Sequence, residues 1–357
     1  MQNWNLDPAA EQQKKEAGDY EKIFDKCRWT YTGFRYDFST KDTKDDTPED
    51  REKFYQSLFD DRGGFRYLLE TYKDMLKDEW ANDQAYDFWK RSVLAPDVKP
   101  YPFGTKRNSL EVKFYEIMDQ DHVDAIDVNA NPIEEVMPEG IRTKDKFVEA
   151  DVLILATGFD SVTGSLNQLD IRGTGGKSIA EYWADGTKTS MGIAIPTFPV
   201  CVAWLAALFV NVRFNTVADY AKNMFYLYGA QAPTAFSNGP SCTQFQAEFV
   251  ERTLKQAKAK GITKLDATQE SADDWVRRVN KAWEGTLYPK ANGWCTSCFL
   301  EILDIHADGS SQDNGGNIPG KKIEPMNWCG GMPAYIETMN KSLENDYQGW
   351  HVSKGKS

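Results

Sequence analysis

The sequence predicts an α/β fold. Three observations carry that reading: aromatic-rich charged stretches whose apolar residues recur at helical spacing, short β-type runs parted by Asn, Pro and Gly, and one unbroken apolar run, Val152-Leu153-Ile154-Leu155. An uninterrupted apolar run between turns suits a parallel strand covered on both faces. Strands that alternate with helices point to α/β layering.

Residues 1–95 read as helical. Thr47-Pro48-Glu49-Asp50 has the form of an N-cap, a first-turn proline and acids that complement the helix dipole. Phe54, Leu58 and Phe59 then share one face, and Gly63-Gly64 is expected to end the helix. The acidic stretch 41–50 reads as a solvated loop. From about residue 96 the texture changes: Pro96, Pro100 and Pro102 break the chain, and β-type segments follow around 125–128, 133–136 and 146–148. Further on, Ser241-Cys242-Thr243-Gln244 resembles a capping box, Phe245, Phe249 and Leu254 form a stripe, and Gly261 suits a C-cap. Trp275, Val279 and Trp283 form a second stripe.

Composition narrows the function. A net charge of −12 disfavours nucleic acid and anionic membranes as partners, because both select clustered Lys and Arg. The longest apolar run, 200–210, is far shorter than the ~20 residues a spanning helix needs. Six cysteines in 357 residues do not make a disulfide scaffold, and Met1-Gln2-Asn3-Trp4-Asn5 has no signal-peptide character, so the expected compartment is the reducing cytoplasm. Three histidines leave little room for a Ser/His/Asp or multi-histidine metal centre. Cys295-x-x-Cys298 with His306 lacks a fourth ligand, and no metal is expected. Gly173-Thr174-Gly175-Gly176-Lys177-Ser178 follows no apolar strand and reads as a surface turn rather than a phosphate loop.

The block Asp151 to Asp160, DVLILATGFD, places small residues at the end of a strand, where doubly wound sheets bind ligands. Around it lie Tyr101-Pro102-Phe103-Gly104-Thr105-Lys106-Arg107, the run NMFYLYGAQAPTAFSNGP over 223–240, Asn317-Ile318-Pro319-Gly320-Lys321 preceded by Trp294, and Gly63-Gly64-Phe65-Arg66. Taken in the order they follow along the chain, and over nearly its whole length, these segments resemble the Baeyer–Villiger flavin monooxygenases. The resemblance implies an incomplete flavoprotein fold of two dinucleotide-binding domains. Residues 1–100 would form a helical insert, 101–160 the second half of the NADP-binding domain, and 161–357 the C-terminal part of the FAD-binding domain with its control loop.

The same resemblance implies FAD and NADP as cofactors. A small-molecule ketone and O2 would be the reactants, converted to an ester or lactone by a flavin peroxide, in the setting of fungal secondary metabolism. Arg107 falls where the family's catalytic arginine stands. A guanidinium suits a developing oxyanion because it stays charged and offers several fixed donors. Lys106 would approach NADP, Trp294 would close over it, and Thr157, Gly158, Asp160, Gly229, Gln231 and Asn238 would line the flavin.

The sequence departs from the family pattern in three places. It holds neither G-x-G-x-x-G loop nor the fingerprint between them, and so lacks the backbone donors that grip a pyrophosphate. By that reading the 357 residues are a C-terminal portion that retains little or no FAD by itself and turns over no ketone. Segments 200–222 and 295–316 interrupt the pattern and read as insertions; Ala218-Asp219 and Ala307-Asp308 permit codons with a CTGA core, as in retained fungal introns.

Overall fold

The computed structural model describes residues 7–91, 96–106, 113–128, 130–156, 162–201, 224–234, 236–291 and 324–354, without the side chains of 61–66 and 200–201. Helices and strands both contribute to the fold, which is of the α/β kind, and the described strands form two antiparallel three-stranded sheets.

Two short helices come first, α1 (Pro8–Glu16) and α2 (Asp19–Arg28). Asp7 caps α1, whose surface is polar all round. The segment after α2 docks onto the C-terminal half of the chain, through Met332 N to Tyr31 O at 2.9 Å and Asn238 N to Thr32 O at 2.8 Å.

Helix α3 (Pro48–Glu70) begins where the sequence signals it, with Thr47 Oγ1 accepting from Asp50 N at 3.2 Å. It does not stop at Gly63-Gly64. Beyond the glycines, Tyr67 and Leu68 enter the same buried cluster as Tyr55 and Leu58. Burying those side chains outweighs the ~1 kcal/mol that each mid-helix glycine costs. Helix α4 (Glu79–Trp89), capped by Asp78, closes this first core with Ala85, Tyr86 and Phe88.

After a short α5 (Phe114–Met118), strands β1 (Ile133–Met137), β2 (Gly140–Thr143) and β3 (Phe147–Glu149) form a meander, with Ile133 opposite Thr143 and Arg142 opposite Phe147. β1 and β3 match the expected segments, β2 is additional, and 125–128 is not a strand. The run Val152-Leu153-Ile154-Leu155 contradicts its sequence reading. It forms no strand, and its residues are 75, 44, 82 and 75 % exposed. A strand needs neighbours to take its N–H and C=O groups, and no described segment pairs with this one.

The C-terminal body is built around β5 (Ile262–Ala267), which pairs antiparallel with β4 (Val200–Cys201) on one edge and β6 (Trp350–Lys354) on the other. Two short helices, α6 (Gly164–Gln168) and α7 (Ile179–Tyr182), carry a small core of Ile179, Trp183, Ile195 and Phe198. The Gly173–Ser178 stretch is a turn, closed by Gly173 N to Lys177 O at 2.9 Å, and it leads into the Ser178–Glu181 capping box of α7.

Helices α8 (Gly239–Ala259), α9 (Gln269–Glu284) and α10 (Met332–Glu344) pack over the sheet. The predicted stripes are buried at Phe245 and Phe249 on α8 and at Trp275 and Val279 on α9, while Leu254 and Trp283 are half-buried. Gly261 at φ +66 ends α8 as expected. The N-cap of α8 is Asn238, which accepts from Ser241 N at 3.1 Å, so the helix starts before the Ser241-Cys242-Thr243-Gln244 signal. Pro240 lies in the first turn, where its missing N–H costs nothing. Among the described residues no helix is long and apolar enough to cross a membrane, and no group of His, Cys, Asp or Glu could hold a metal ion.

Candidate functional site

Of the sequence-predicted site residues, Arg107, Thr157, Gly158, Asp160 and Trp294 lie outside the described residues, as do 202–222 and 295–316. Lys106, Gly229, Gln231 and Asn238 are described. The last three share one loop, 224–238, between β4 and α8; Lys106 sits on the separate 101–106 turn.

That turn is held by α4. Thr105 N bonds to Pro102 O at 3.2 Å, with Gly104 at φ +78 in the third position, as a type II turn demands. The Lys106 ammonium lies 4.5 Å from the centre of the Tyr101 ring, a cation–π pairing that orients it.

The 224–238 loop is pinned on every side. Gln231 is 1 % exposed and has φ +67, a conformation that L side chains rarely adopt without surrounding bonds to hold it. Its carboxamide donates to Thr187 O at 2.9 Å and accepts from Thr189 Oγ1 at 2.8 Å. Its backbone N–H donates to Met326 O at 2.6 Å, and its carbonyl accepts from Trp275 Nε1 at 3.2 Å. Thus Gln231 locks the loop to the 187–195 turn, to α9 and to the chain before α10.

Gly229 is required by packing rather than by torsion. A Cβ there would lie 1.7 Å from Cε2 of Tyr226. A Cβ on Gly192 would meet Ala232 N at 2.5 Å, so loop and turn touch backbone to backbone.

A second bonded line runs beneath. Tyr228 N donates to Gln246 Oε1 at 2.8 Å, Gln246 Nε2 donates to the Tyr335 hydroxyl at 2.7 Å, and that hydroxyl donates to Met191 O at 2.7 Å. Burial raises the Tyr226 and Tyr335 pKa values and pushes the Cys242 thiol up to about 12, so these groups remain protonated. None is a base at neutral pH; they fix shape.

Asn238 is held at both ends, by its cap bond to Ser241 N and its own N–H to Thr32 O. Near it, the Thr32 and Thr234 hydroxyls are buried without a hydrogen-bond partner. Unsatisfied hydroxyls beside the start of a long helix can receive a polar ligand. Sequence reasoning missed Thr189, Gln246, Tyr335 and Asn82, whose roles depend on distant partners and have no local pattern.

The described geometry is a rigid loop that feeds the N-terminus of a long helix, and comparison with known proteins makes its setting specific. The chain is 31% identical to cyclopentanone 1,2-monooxygenase of Comamonas over 97% of its own length and 57% of that relative. It is 31% identical to the FAD-binding monooxygenase VdtE of Byssochlamys spectabilis, over 98% and 56%. Its structure resembles cyclohexanone monooxygenase of Rhodococcus bound to NADP+ (TM-score 0.76, 25% identity, 98% and 59% covered) and OTEMO in complex with FAD and NADP (0.75, 27%, 96% and 57%). No family model matches the chain. Its homologues are Baeyer–Villiger FAD-binding monooxygenases. The chain spans somewhat more than half the length of these relatives.

Proposed function

We propose that these residues form the ketone-oxidising part of an FAD- and NADPH-dependent Baeyer–Villiger monooxygenase that converts a small ketone to an ester or lactone. The observation that carries this reading is the similarity to cyclopentanone 1,2-monooxygenase, which runs through 97% of the chain. Cyclic ketones are the substrate class, in a fungal enzyme of secondary metabolism resembling VdtE.

FAD, reduced by NADPH, supplies the activation of dioxygen when bound. The chain's own residues have defined tasks. Arg107 holds a permanent positive charge for the oxyanion that forms as the carbonyl is attacked. Lys106 offers an ammonium to the NADP phosphate or ribose, and Trp294 covers that cofactor. Thr157, Gly158 and Asp160 line the flavin together with Gly229 and Asn238. The unpartnered hydroxyls of Thr32 and Thr234 fit a polar edge of that cofactor. Gln231 spends its carboxamide inside the protein and so holds the flavin-facing loop in shape.

The pyrophosphate grip is a separate matter. Without a G-x-G-x-x-G loop in the sequence, residues 1–357 alone should retain little FAD and form no product. Two preparations test the reading. The chain alone, after gel filtration, should show no flavin absorbance; a stoichiometric flavin signal overturns the need for an external loop. The chain joined to the amino-terminal portion of Comamonas cyclopentanone monooxygenase should take up FAD and convert cyclopentanone to its lactone with NADPH. Arg107→Ala should abolish the product and keep the flavin. A flavin-loaded fusion that forms no lactone refutes the activity.

A further inference from the structure

We propose that Asn82 is a positioning residue for the segment leading to Arg107; its catalytic consequence rests on the role given to Arg107 above. Asn82 lies in the first half of α4 and is 0 % exposed. A carboxamide taken out of water needs partners for two N–H donors and for its oxygen. Here each is satisfied. Nδ2 donates to Met75 O at 2.9 Å and to Phe103 O at 2.8 Å. Oδ1 accepts from Phe103 N at 2.8 Å and from Lys99 Nζ at 2.8 Å.

The two bonds to Phe103 are the pair that a neighbouring strand would make, so one side chain takes the place of a sheet edge. Lys99, three residues earlier than Pro102, is fixed by the same oxygen. Immediately after Phe103 the chain has little room to adjust. A Cβ on Gly104 would meet Met75 Cε at 3.2 Å and Leu76 Cδ2 at 3.3 Å, and Phe103 and Gly104 are the two central residues of the type II turn. Phe103 itself packs against Trp89 and Tyr86, with ring centres 5.1 and 5.6 Å apart. Lys106 and Arg107 thus leave a point that α4 holds through both its backbone and its ring. Arg107 follows Phe103 by four residues, at most ~14 Å of chain, so the clamp fixes the point from which that segment starts. A displacement of about 1 Å at a reacting group can cost ~100-fold in rate.

A purely space-filling role would be met by leucine, which has the same number and branching of side-chain heavy atoms. The clamp would not, because leucine leaves the Phe103 N–H and carbonyl without partners.

The test is native-state trypsin cleavage of the 357-residue chain after Lys106 and Arg107; Pro100 blocks cleavage after Lys99. Cleavage of a transiently opened segment follows its open population. Asn82→Leu should speed cleavage there about tenfold, relative to Phe88→Leu, a variant of the same core outside the clamp, compared at equal margin below each melting temperature. Lys99→Met, which removes one of the four bonds together with the Lys99–Asp83 ion pair, should speed it about threefold, and it decides the matter if Asn82→Leu does not fold. Equal rates in the clamp variants and Phe88→Leu overturn the proposal. In the flavin-loaded fusion, Asn82→Leu should lower kcat with the ketone KM and flavin content unchanged; a change in KM alone also overturns it. If Arg107→Ala leaves lactone formation intact, the functional reading fails while the tryptic contrast still stands or falls separately.

Discussion

Thr189 Oγ1 donates to Gln231 Oε1 at 2.8 Å inside the C-terminal body, and the same oxygen accepts from Gly192 N at 3.2 Å. One hydroxyl therefore shapes the 187–195 turn and fastens it to the loop that carries three of the predicted flavin-lining residues. Neither partner is near the other in sequence.

Removing that hydroxyl strands a buried acceptor. Thr189→Val should destabilise the protein by about 1–3 kcal/mol, the usual penalty for an unsatisfied buried polar group. Thr189→Ser should recover most of the loss because it restores the donor. Chemical denaturation of the three proteins decides it, and equal stability of the valine variant would show the bond to be dispensable.

Gly229→Ala should cost about 1–3 kcal/mol through overpacking, since the added methyl falls on the Tyr226 ring. Tyr226→Leu in the same chain should reduce that cost. A double-mutant cycle measures the coupling. Additive effects would mean that the glycine is needed for some other reason.

Asp266 lies on β5, accepting from Thr197 N at 2.9 Å, and burial raises its pKa above the ordinary 3.8 despite that bond and the nearby Lys264. A carboxyl whose folded pKa is raised favours the native state fully below 3.8 and loses that contribution as pH rises through the raised value. Asp266→Asn keeps an acceptor for Thr197 and avoids the buried charge. Its melting temperature should exceed the parent's at pH 7, with the difference vanishing below pH 3.8. A constant difference across pH would assign the effect to packing.

The 152–155 run gives the opposite kind of prediction. Ile154 is 82 % exposed, so Ile154→Lys should change stability by no more than about 0.5 kcal/mol while reducing dye binding and aggregation. A loss of several kcal/mol would place the residue in a core.

Segments 200–222 and 295–316 read as retained introns, and sequencing the mature transcript is the direct measurement. Their absence from the message is expected. Transcripts that keep both in frame make them true parts of the protein.

Local chemistry was readable wherever it closes within a few residues. The Thr47 cap with Pro48, the Phe245 and Phe249 stripe, the Trp275 and Val279 stripe, and Gly261 after α8 all stand as the sequence implies. The resemblance to the Baeyer–Villiger monooxygenases was legible too, because short motifs in a fixed order survive in the primary structure. Tertiary structure decided the rest. α3 runs through Gly63-Gly64 because Tyr67 and Leu68 gain burial beyond them, a benefit that no local propensity contains. Val152-Leu153-Ile154-Leu155 stays out of any sheet because an apolar run supplies only one side of a strand pair. Asn82 and Gln231 acquire their roles from distant partners, Phe103 21 residues from Asn82, and Thr187 and Trp275 each 44 residues from Gln231. A sequence fixes which groups a residue can offer; only the folded chain brings the complementary donor or acceptor within hydrogen-bonding reach.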